Sequence, residues 1–570
     1  MPGYLKLKTE DCKNCYKCIR HCPVKSIKFS DNQAHIIDDE CILCGNCFVS
    51  CPQKAKEIRS DIEAASALLK SGAPVYVSVA PSFVANYAGA SGGASLASLE
   101  AALKKLGFAG AEETVLGATL VKRQYDAMIE QEEQDVIISS CCPSVNLLIQ
   151  KYYPGALPFI APVLSPMQAH CLDIKRRFPG AKALFAGPCI SKKAEAESYP
   201  GAADCVLTFA ELSRWMEQKN ISPITVADRD DEDKDFTLTR AFPTSGGILY
   251  SMEKKNPRYA YLVIEGIDNC KTAIEDLLKS QSAGGKGKCF IEMSACAGSC
   301  IGGPVMERHN SPVRDYLAVR SVTGKKDFKV KNLPPETLRK KFNVLEPRRI
   351  HFGEKAINDI LQKIGKTRPE DELNCGTCGY NTCREKARAV LEGKASLTMC
   401  LPYLVGKAES FSDGIIKNTP NGIIVLNENL EVQQINGAAC RLMNITAADI
   451  LGDQVVRILD PAPFLEVCRR EQNSYLKDVY LADYGKHADQ TIIYDKSYHI
   501  IICIMRDITE EAKRRETKDD FSRNAMEITD RVIEKQMRTV QEIASLLGET
   551  TAETKIALSK LKESLLNDSL

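Results

Sequence analysis

The sequence is poor in the features that membrane, secreted or nucleic-acid-binding proteins need. Its formal net charge is only +1, so no excess of one sign points to nucleic acid or to an anionic membrane surface. No stretch reaches the roughly 20 apolar residues of a membrane helix. The longest candidate, around 75–90, is interrupted by Ser78, Pro81, Ser82 and Asn86. The opening residues, MPGYLKLKTEDCKNC, contain neither an apolar core region nor twin arginines, so no export signal is expected. There are seven histidines, at 21, 35, 170, 309, 351, 487 and 499. None lies in the charged tail beyond, which speaks against a phospho-acceptor histidine there and against a histidine kinase within this chain.

Cysteine is what the sequence has in quantity: 24 of them, most in tight clusters beside proline or glycine. Disulfide frameworks belong to short chains with a signal peptide. Clustered thiols in a chain of 570 residues instead predict metal sites in a reducing, cytoplasmic compartment. The length and the 44% hydrophobic content predict several globular domains.

Residues 1–60 carry Cys12, Cys15, Cys18 and Cys22-Pro23, then Cys41, Cys44, Cys47 and Cys51-Pro52. The run CxxCxxCxxxCP therefore occurs twice. This is the bacterial two-cluster ferredoxin pattern, in which the fourth cysteine of each run serves the other cluster. The expected 4Fe–4S ligand sets are Cys12, Cys15, Cys18 and Cys51, and Cys41, Cys44, Cys47 and Cys22. Zinc sites more often show two CxxC pairs than triplets ending in Cys-Pro. A domain of this kind is an electron wire.

A helical connector is predicted over 60–70. Buried strands follow at 75–80, 135–138, 183–186, 262–266 and 289–292, with a helix over 94–106. Strands alternating with helices over about 70–348 imply an α/β domain. Three cysteine-bearing stretches belong to it, two of them directly after strands: Ser139-Ser140-Cys141-Cys142-Pro143, Gly187-Pro188-Cys189 continuing to Glu195, and FIEMSACAGSCIGGP over 290–304. Ligands in open α/β sheets sit at the carboxyl ends of strands. Together the stretches offer Cys142, Cys189, Cys296 and Cys300 to one cubane cluster.

These stretches, as SCCP at 140–143, PCxxKxxE at 188–195 and ExxxCxxxCxGG at 292–303, resemble the three signature motifs of FeFe-hydrogenases. The resemblance implies that the four cysteines hold the cubane of the hydrogenase H-cluster. It implies that Cys300 also bridges to a two-iron subsite carrying carbonyl, cyanide and a dithiolate amine, which requires maturation proteins. It also implies that Cys141 passes a proton to the bridging amine and that Lys192 donates to a cyanide ligand. Ser165 and Met167 line the subsite, and Glu195 braces its loop. Lys193 is expected to be exposed. Cys171, Cys205, Cys270, Cys289, Cys440, Cys468 and Cys503 lie outside any motif and are read as packing residues.

Residues 350–410 bring Cys375, Cys378, Cys383 and Cys400, with a helix over 384–394. Four thiols at this spacing suit zinc or a 4Fe–4S cluster. The stretch resembles the extra cluster domain of some redox sensors and hydrogenases, which implies the latter. Residues 411–510 resemble a PAS domain: a strand pair at 422–426 and 430–435, a short helix from Asn436, and a last strand at 500–505 before Arg506-Asp507-Ile508-Thr509. Over 511–570 an apolar stripe (Phe521, Ala525, Ile528, Val532, Val540, Ile543, Leu547) marks an amphipathic helix, packed on its own chain or used for dimerisation or partner binding. The expected fold class is thus multidomain α/β and α+β: a two-cluster ferredoxin-like domain, an α/β hydrogenase domain, a small Fe–S domain, a PAS domain and C-terminal helices.

The departures from the family pattern bear on function. The glycine and tryptophan expected after SCCP are Ser144 and Val145. The methionines expected before Pro188 and two residues before Cys296 are Gly187 and Ser294. The serine and two acids of the family's proton path fall at Ala161 and in the stretch from Gly117-Ala118-Thr119 to Gln124-Tyr125. Losing one positioned acid or base costs roughly 100- to 10,000-fold. The expectation is a hydrogen or redox sensor that interconverts H2 with protons and electrons slowly. Its predicted partners are a redox protein such as ferredoxin and a separate signalling protein, with a homodimer possible. A metabolic, ferredoxin-linked hydrogenase and a non-catalytic iron–sulfur assembly protein are the alternatives.

Overall fold

The apolar runs between residues 75 and 294 are strands in the computed structural model, which describes residues 3–87, 95–222, 237–282, 287–307, 311–345, 347, 350–547 and 551–567. They are β1 (Val75–Val79), β3 (Val136–Ile138), β4 (Lys182–Gly187), β6 (Tyr259–Glu265) and β7 (Lys288–Ser294). Two short strands, β2 (Gly110–Glu113) and β5 (Cys205–Thr208), were not predicted. Nor does the pattern foretell that the strands form two parallel sheets, in the orders β2-β1-β4-β5 and β6-β7-β3. Val75, Val77 and Val79 are all buried, as near-continuous apolar strands of a parallel sheet must be. The predicted helix over 94–106 is Leu96–Leu106; Ala94 lies outside the described residues.

Four helices position the site: α1 (Val115–Gln131), α2 (Pro143–Tyr152), α3 (Pro166–Arg177) and α4 (Ser191–Ser198). Both α2 and α3 begin at a proline, whose missing N–H is no loss in the first turn. On α3, His170 is fully buried and satisfied, with Nδ1 2.8 Å from the Ser78 hydroxyl and Nε2 3.1 Å from Glu112.

Two antiparallel strand pairs, Leu5–Leu7 with Lys56–Ile58 and Ile27–Ser30 with Gln33–Ile36, frame the N-terminal cysteines. The connector helix is Ile62–Lys70. The later four-cysteine region contains α5 (Cys383–Leu391). All of this lies in one compact unit, Met1–Tyr403.

The second unit is Leu404–Leu570. Its sheet comprises β8 (Gly422–Asn427), β9 (Val432–Ile435), β10 (Ser474–Leu481), β11 (Lys486–Asp495) and β12 (Ile500–Asp507). They are antiparallel in the order β9-β8-β12-β11-β10. His487 and His499 pair with Asp478 and Glu428 at the surface. The tail is α6 (Thr509–Leu547) and α7 (Thr551–Asn567), joined by an ion pair between Asp530 and Lys562 at 2.9 Å. Phe521, Ile528, Val532 and Ile556 of these helices are exposed. Among the described residues no helix is long and apolar enough to cross a membrane.

Candidate metal centre

The ends of β3, β4 and β7 converge on a cavity of about 120 Å³. Cys142, Cys189, Cys296 and Cys300 all line it, and so do Cys141, Lys192, Met167 and Glu292. Cys142 is the residue before α2, Cys189 lies between β4 and α4, and Cys296 follows β7. Each is thus placed where a strand hands over to a loop or helix. Gly303 lets the third stretch sit on the second: a Cβ there would lie 2.6 Å from the Pro188 carbonyl oxygen. Burial pushes the Cys142, Cys296 and Cys300 thiols upward. Cys300 is deep in the protein yet accessible, because it faces the cavity. Such thiols stay neutral unless a cation draws off the proton, so cluster binding and deprotonation are coupled.

Lys192 reaches the rim, donating to the Cys141 carbonyl at 3.3 Å and to Glu195 at 2.7 Å. Glu195 also accepts from Lys340 at 2.8 Å and from the Ser165 hydroxyl at 3.0 Å. Burial works against its charge, but the two ammonium groups prevail and hold the carboxyl down at about 2. Glu195 thus ties α4 to Lys340 and to Ser165 at the start of α3. Ser165 is not among the lining residues; it is fully buried and spends its hydroxyl on Glu195. Lys340 left no signal in the sequence, because its partner lies far away along the chain. The expectation that Lys193 is exposed is wrong. It is buried, and its ammonium is held by Asp61 at 2.8 Å, Glu211 at 2.9 Å and the Val206 carbonyl at 3.1 Å.

Cys141 sits in a different environment from its neighbour. Burial pushes its thiol up to about 12, partly offset by Tyr125. The Tyr125 hydroxyl lies 3.3 Å from its sulfur and 2.9 Å from the Ser140 hydroxyl, and it accepts from the Ser140 N–H at 3.0 Å. Thr119 donates instead to the Val115 carbonyl on its own helix, and Ala161 is buried in an apolar core. Glu292, also on the cavity, has its carboxyl raised by burial to about 7, with the Leu249 N–H opposing. The departures have local reasons too. A side chain at Gly187 would overlap the Phe185 ring at 2.6 Å, and Phe185 lines the cavity in its stead. Ser144 donates to Ser191, whose hydroxyl lies 3.0 Å from the Cys189 sulfur.

Three further groupings bring together the predicted thiols other than Cys15, which is exposed. Cys22, Cys41, Cys44 and Cys47 line one small cavity, so the fourth cysteine of the first run meets the second run. Cys18, Cys12 and Cys51 lie close enough to influence one another electrostatically. Cys375, Cys378, Cys383 and Cys400 line another cavity with the buried Lys386. Among the described residues no three Cys, His, Asp or Glu side chains converge as a single-ion site. The thiols surround cavities instead, a layout that suits multi-iron clusters. Leu43 and Cys44 also line the cavity at the ends of β3, β4 and β7, so the Cys22/41/44/47 site abuts it directly.

Residues 73–304 match the family described as iron only hydrogenase large subunit, C-terminal domain. The middle of this chain is an iron-only hydrogenase domain. Residues 4–52 match a 4Fe-4S dicluster domain, 371–402 an Fe-S cluster family and 411–483 the PAS fold. The chain is 26% identical over 346 residues to the NADP-reducing hydrogenase subunit HndD of Solidesulfovibrio fructosivorans, covering 49% of this chain and 58% of that protein. It is 32% identical over 111 residues to the cytosolic Fe-S cluster assembly factor NAR1 of Eremothecium gossypii, 18% of this chain and 25% of that one. Each match therefore spans less than two thirds of the relative. The structure of the [FeFe]-hydrogenase HydA1 from Chlamydomonas reinhardtii aligns over 51% of this chain and 100% of its own, with a TM-score of 0.39 and 17% identity. The hydrogenase domain thus stands between a dicluster domain and a second Fe–S region, with a PAS domain beyond.

Proposed function

We propose that the protein is a cytoplasmic hydrogen or redox sensor built on an FeFe-hydrogenase site, with slow interconversion of H2 and protons. The observation that carries this is the cavity at the ends of β3, β4 and β7, where the four cysteines meet Cys141 and Lys192. Cys142, Cys189, Cys296 and Cys300 would hold a cubane, with Cys300 shared with a two-iron subsite. When bound, that group supplies the iron at which hydrogen is split or formed. Lys192, kept charged by Glu195, is a cationic donor in a water-poor site. Cys141 is the proton carrier at the cavity wall, and Tyr125 positions its sulfur. Low turnover is inferred because Thr119 and Ala161 replace proton-carrying side chains. Met167 and Phe185 narrow the space around the subsite.

The N-terminal clusters would exchange electrons with a ferredoxin-type partner. The PAS domain and the tail, with its exposed apolar stripe, would signal to a separate protein or a second copy of this chain. Infrared spectroscopy of protein matured with the hydrogenase maturation proteins tests the reading: carbonyl and cyanide bands are expected. Their absence, with all cubanes assembled, would favour a non-catalytic iron–sulfur role, a reading to which the NAR1 match gives some support. Rapid hydrogen turnover would favour the metabolic alternative.

A further inference from the structure

Sequence order puts the Cys375–Cys400 region after the hydrogenase domain, which suggests a relay taking electrons directly from it. The contacts run elsewhere. The Lys25 ammonium, three residues after Cys22, donates to the Gly379 carbonyl at 2.8 Å and to the Ile19 and Arg20 carbonyls at 3.3 and 3.2 Å. Arg20 donates to the Thr377 carbonyl at 3.1 Å, and the Phe29 N–H to the Lys394 carbonyl at 2.7 Å. Lys394 returns to the N-terminal domain through Glu40 at 2.7 Å. Gly379 has φ +92°, and a Cβ there would lie 2.9 Å from Ile19. The loop between Cys378 and Cys383 is therefore pressed onto the turn between Cys18 and Cys22. Tyr380 and Met399 share one apolar core with Cys18, Cys22, Cys41 and Cys47.

We infer that the cluster held by Cys22, Cys41, Cys44 and Cys47 is a three-way electron junction, and that the Cys375–Cys400 cluster is charged through it. One exit is Cys44, on the wall of the hydrogenase cavity. The second is the neighbouring ferredoxin-type cluster. The third is Cys22, across the Lys25–Gly379 contact and past Tyr380, which lines the four-cysteine cavity. The step moves one electron: the junction cluster goes from the 1+ to the 2+ state as the third cluster goes from 2+ to 1+, with no proton required. The region that precedes the PAS domain in the sequence then reports the charge state of the whole wire, whichever end supplied the electrons. This rests on the reading that both four-thiol sites hold 4Fe–4S clusters.

Two measurements on the full-length, cluster-loaded protein test it. In dithionite-reduced samples, electron paramagnetic resonance should show the Cys375–Cys400 signal broadened by the reduced junction cluster. Lys25→Met, which removes the clamp, should sharpen that signal with iron content unchanged. Under hydrogen, the third cluster should be reduced at least about tenfold more slowly in Cys41→Ala than in the parent, while dithionite still reduces it in both. An unbroadened signal in the fully reduced parent overturns the junction. So does hydrogen-driven reduction that is equally fast without the Cys41 site. If hydrogen reduces nothing in the parent, it is the hydrogen-reactive reading that fails, and the dithionite experiment still decides the junction.

Discussion

Two of the four-cysteine cavities of the first unit, those of the hydrogenase domain and of the Cys375–Cys400 region, are built in opposite ways. In the hydrogenase domain the thiols come from three distant strand ends, each fixed by a parallel sheet and a buried core. In the Cys375–Cys400 region they come from one loop, the start of one short helix and the end of a 3-10 turn, over a core of few residues that includes Cys400 itself. The first cavity is shaped by the fold and then receives its cluster. With so small a core, the second is expected to draw much of its order from a bound cluster, as small metal domains do. Their thiols differ accordingly. Burial raises Cys142, Cys296 and Cys300 of the first site and Cys378 of the second, whereas Cys375 is exposed and its thiol is lowered by hydrogen bonds from Thr377.

Stripping the iron should show this difference at full scale. Hydrogen exchange of the apoprotein should find the amides of α5 unprotected and those of β4 still protected. Equal protection in both would erase the contrast. Next in size is the split between neighbours at the first site. Cys142→Ala should abolish stable assembly of the cofactor, read as lost iron and lost infrared bands. Cys141→Ala should keep the iron and lower turnover by roughly 100- to 10,000-fold. Equal iron loss in both variants means that the two residues share one role.

Smaller effects should come from the groups that hold the first cavity in shape. Glu195→Gln leaves the Lys192 and Lys340 charges in the interior without a counter-ion, a change that costs about 3–5 kcal/mol, visible in denaturant unfolding. The sign with pH is fixed. The folded carboxyl lies at about 2, below its unfolded value of about 4.3. Its contribution is therefore present above about pH 4 and is lost as the pH falls toward 2. The variant should lack that part of the acid slope. Tyr125→Phe should do least, costing about 1 kcal/mol for the lost hydrogen bonding. It should move the alkaline limb of the pH–activity profile upward, since Tyr125 is what holds the Cys141 thiol down, without changing the iron content.

How much of this could be read in advance depended on sequence distance. The ferredoxin-type and Cys375–Cys400 runs are local, so their thiols could be grouped from spacing, including the exchange of Cys22 with the second run; Cys142, Cys189, Cys296 and Cys300 lie far apart along the chain and were joined by their motifs. Strands as apolar as β1 or β4 declare themselves. β2, with two glutamates in Gly110-Ala-Glu-Glu, does not, and neither do the largely polar β10 and β11. Lys193 misleads because its counter-charges, Asp61 and Glu211, come from other elements. The same holds for Lys340 and for the seating of Gly379 on Ile19. A single sequence does not announce which distant carboxylate neutralises a buried lysine.

The Asp61–Lys193–Glu211 cluster has a practical meaning for anyone dissecting this chain. Asp61 stands at the start of the connector, where a boundary drawn from sequence motifs invites a cut. A fragment beginning at residue 70 would lose Asp61 and retain Lys193, opening a polar gap at the base of α4, the helix that carries Lys192. The start of the connector is in this respect a piece of the hydrogenase domain's wall, and expressing that domain without it would compare a damaged part with an intact whole.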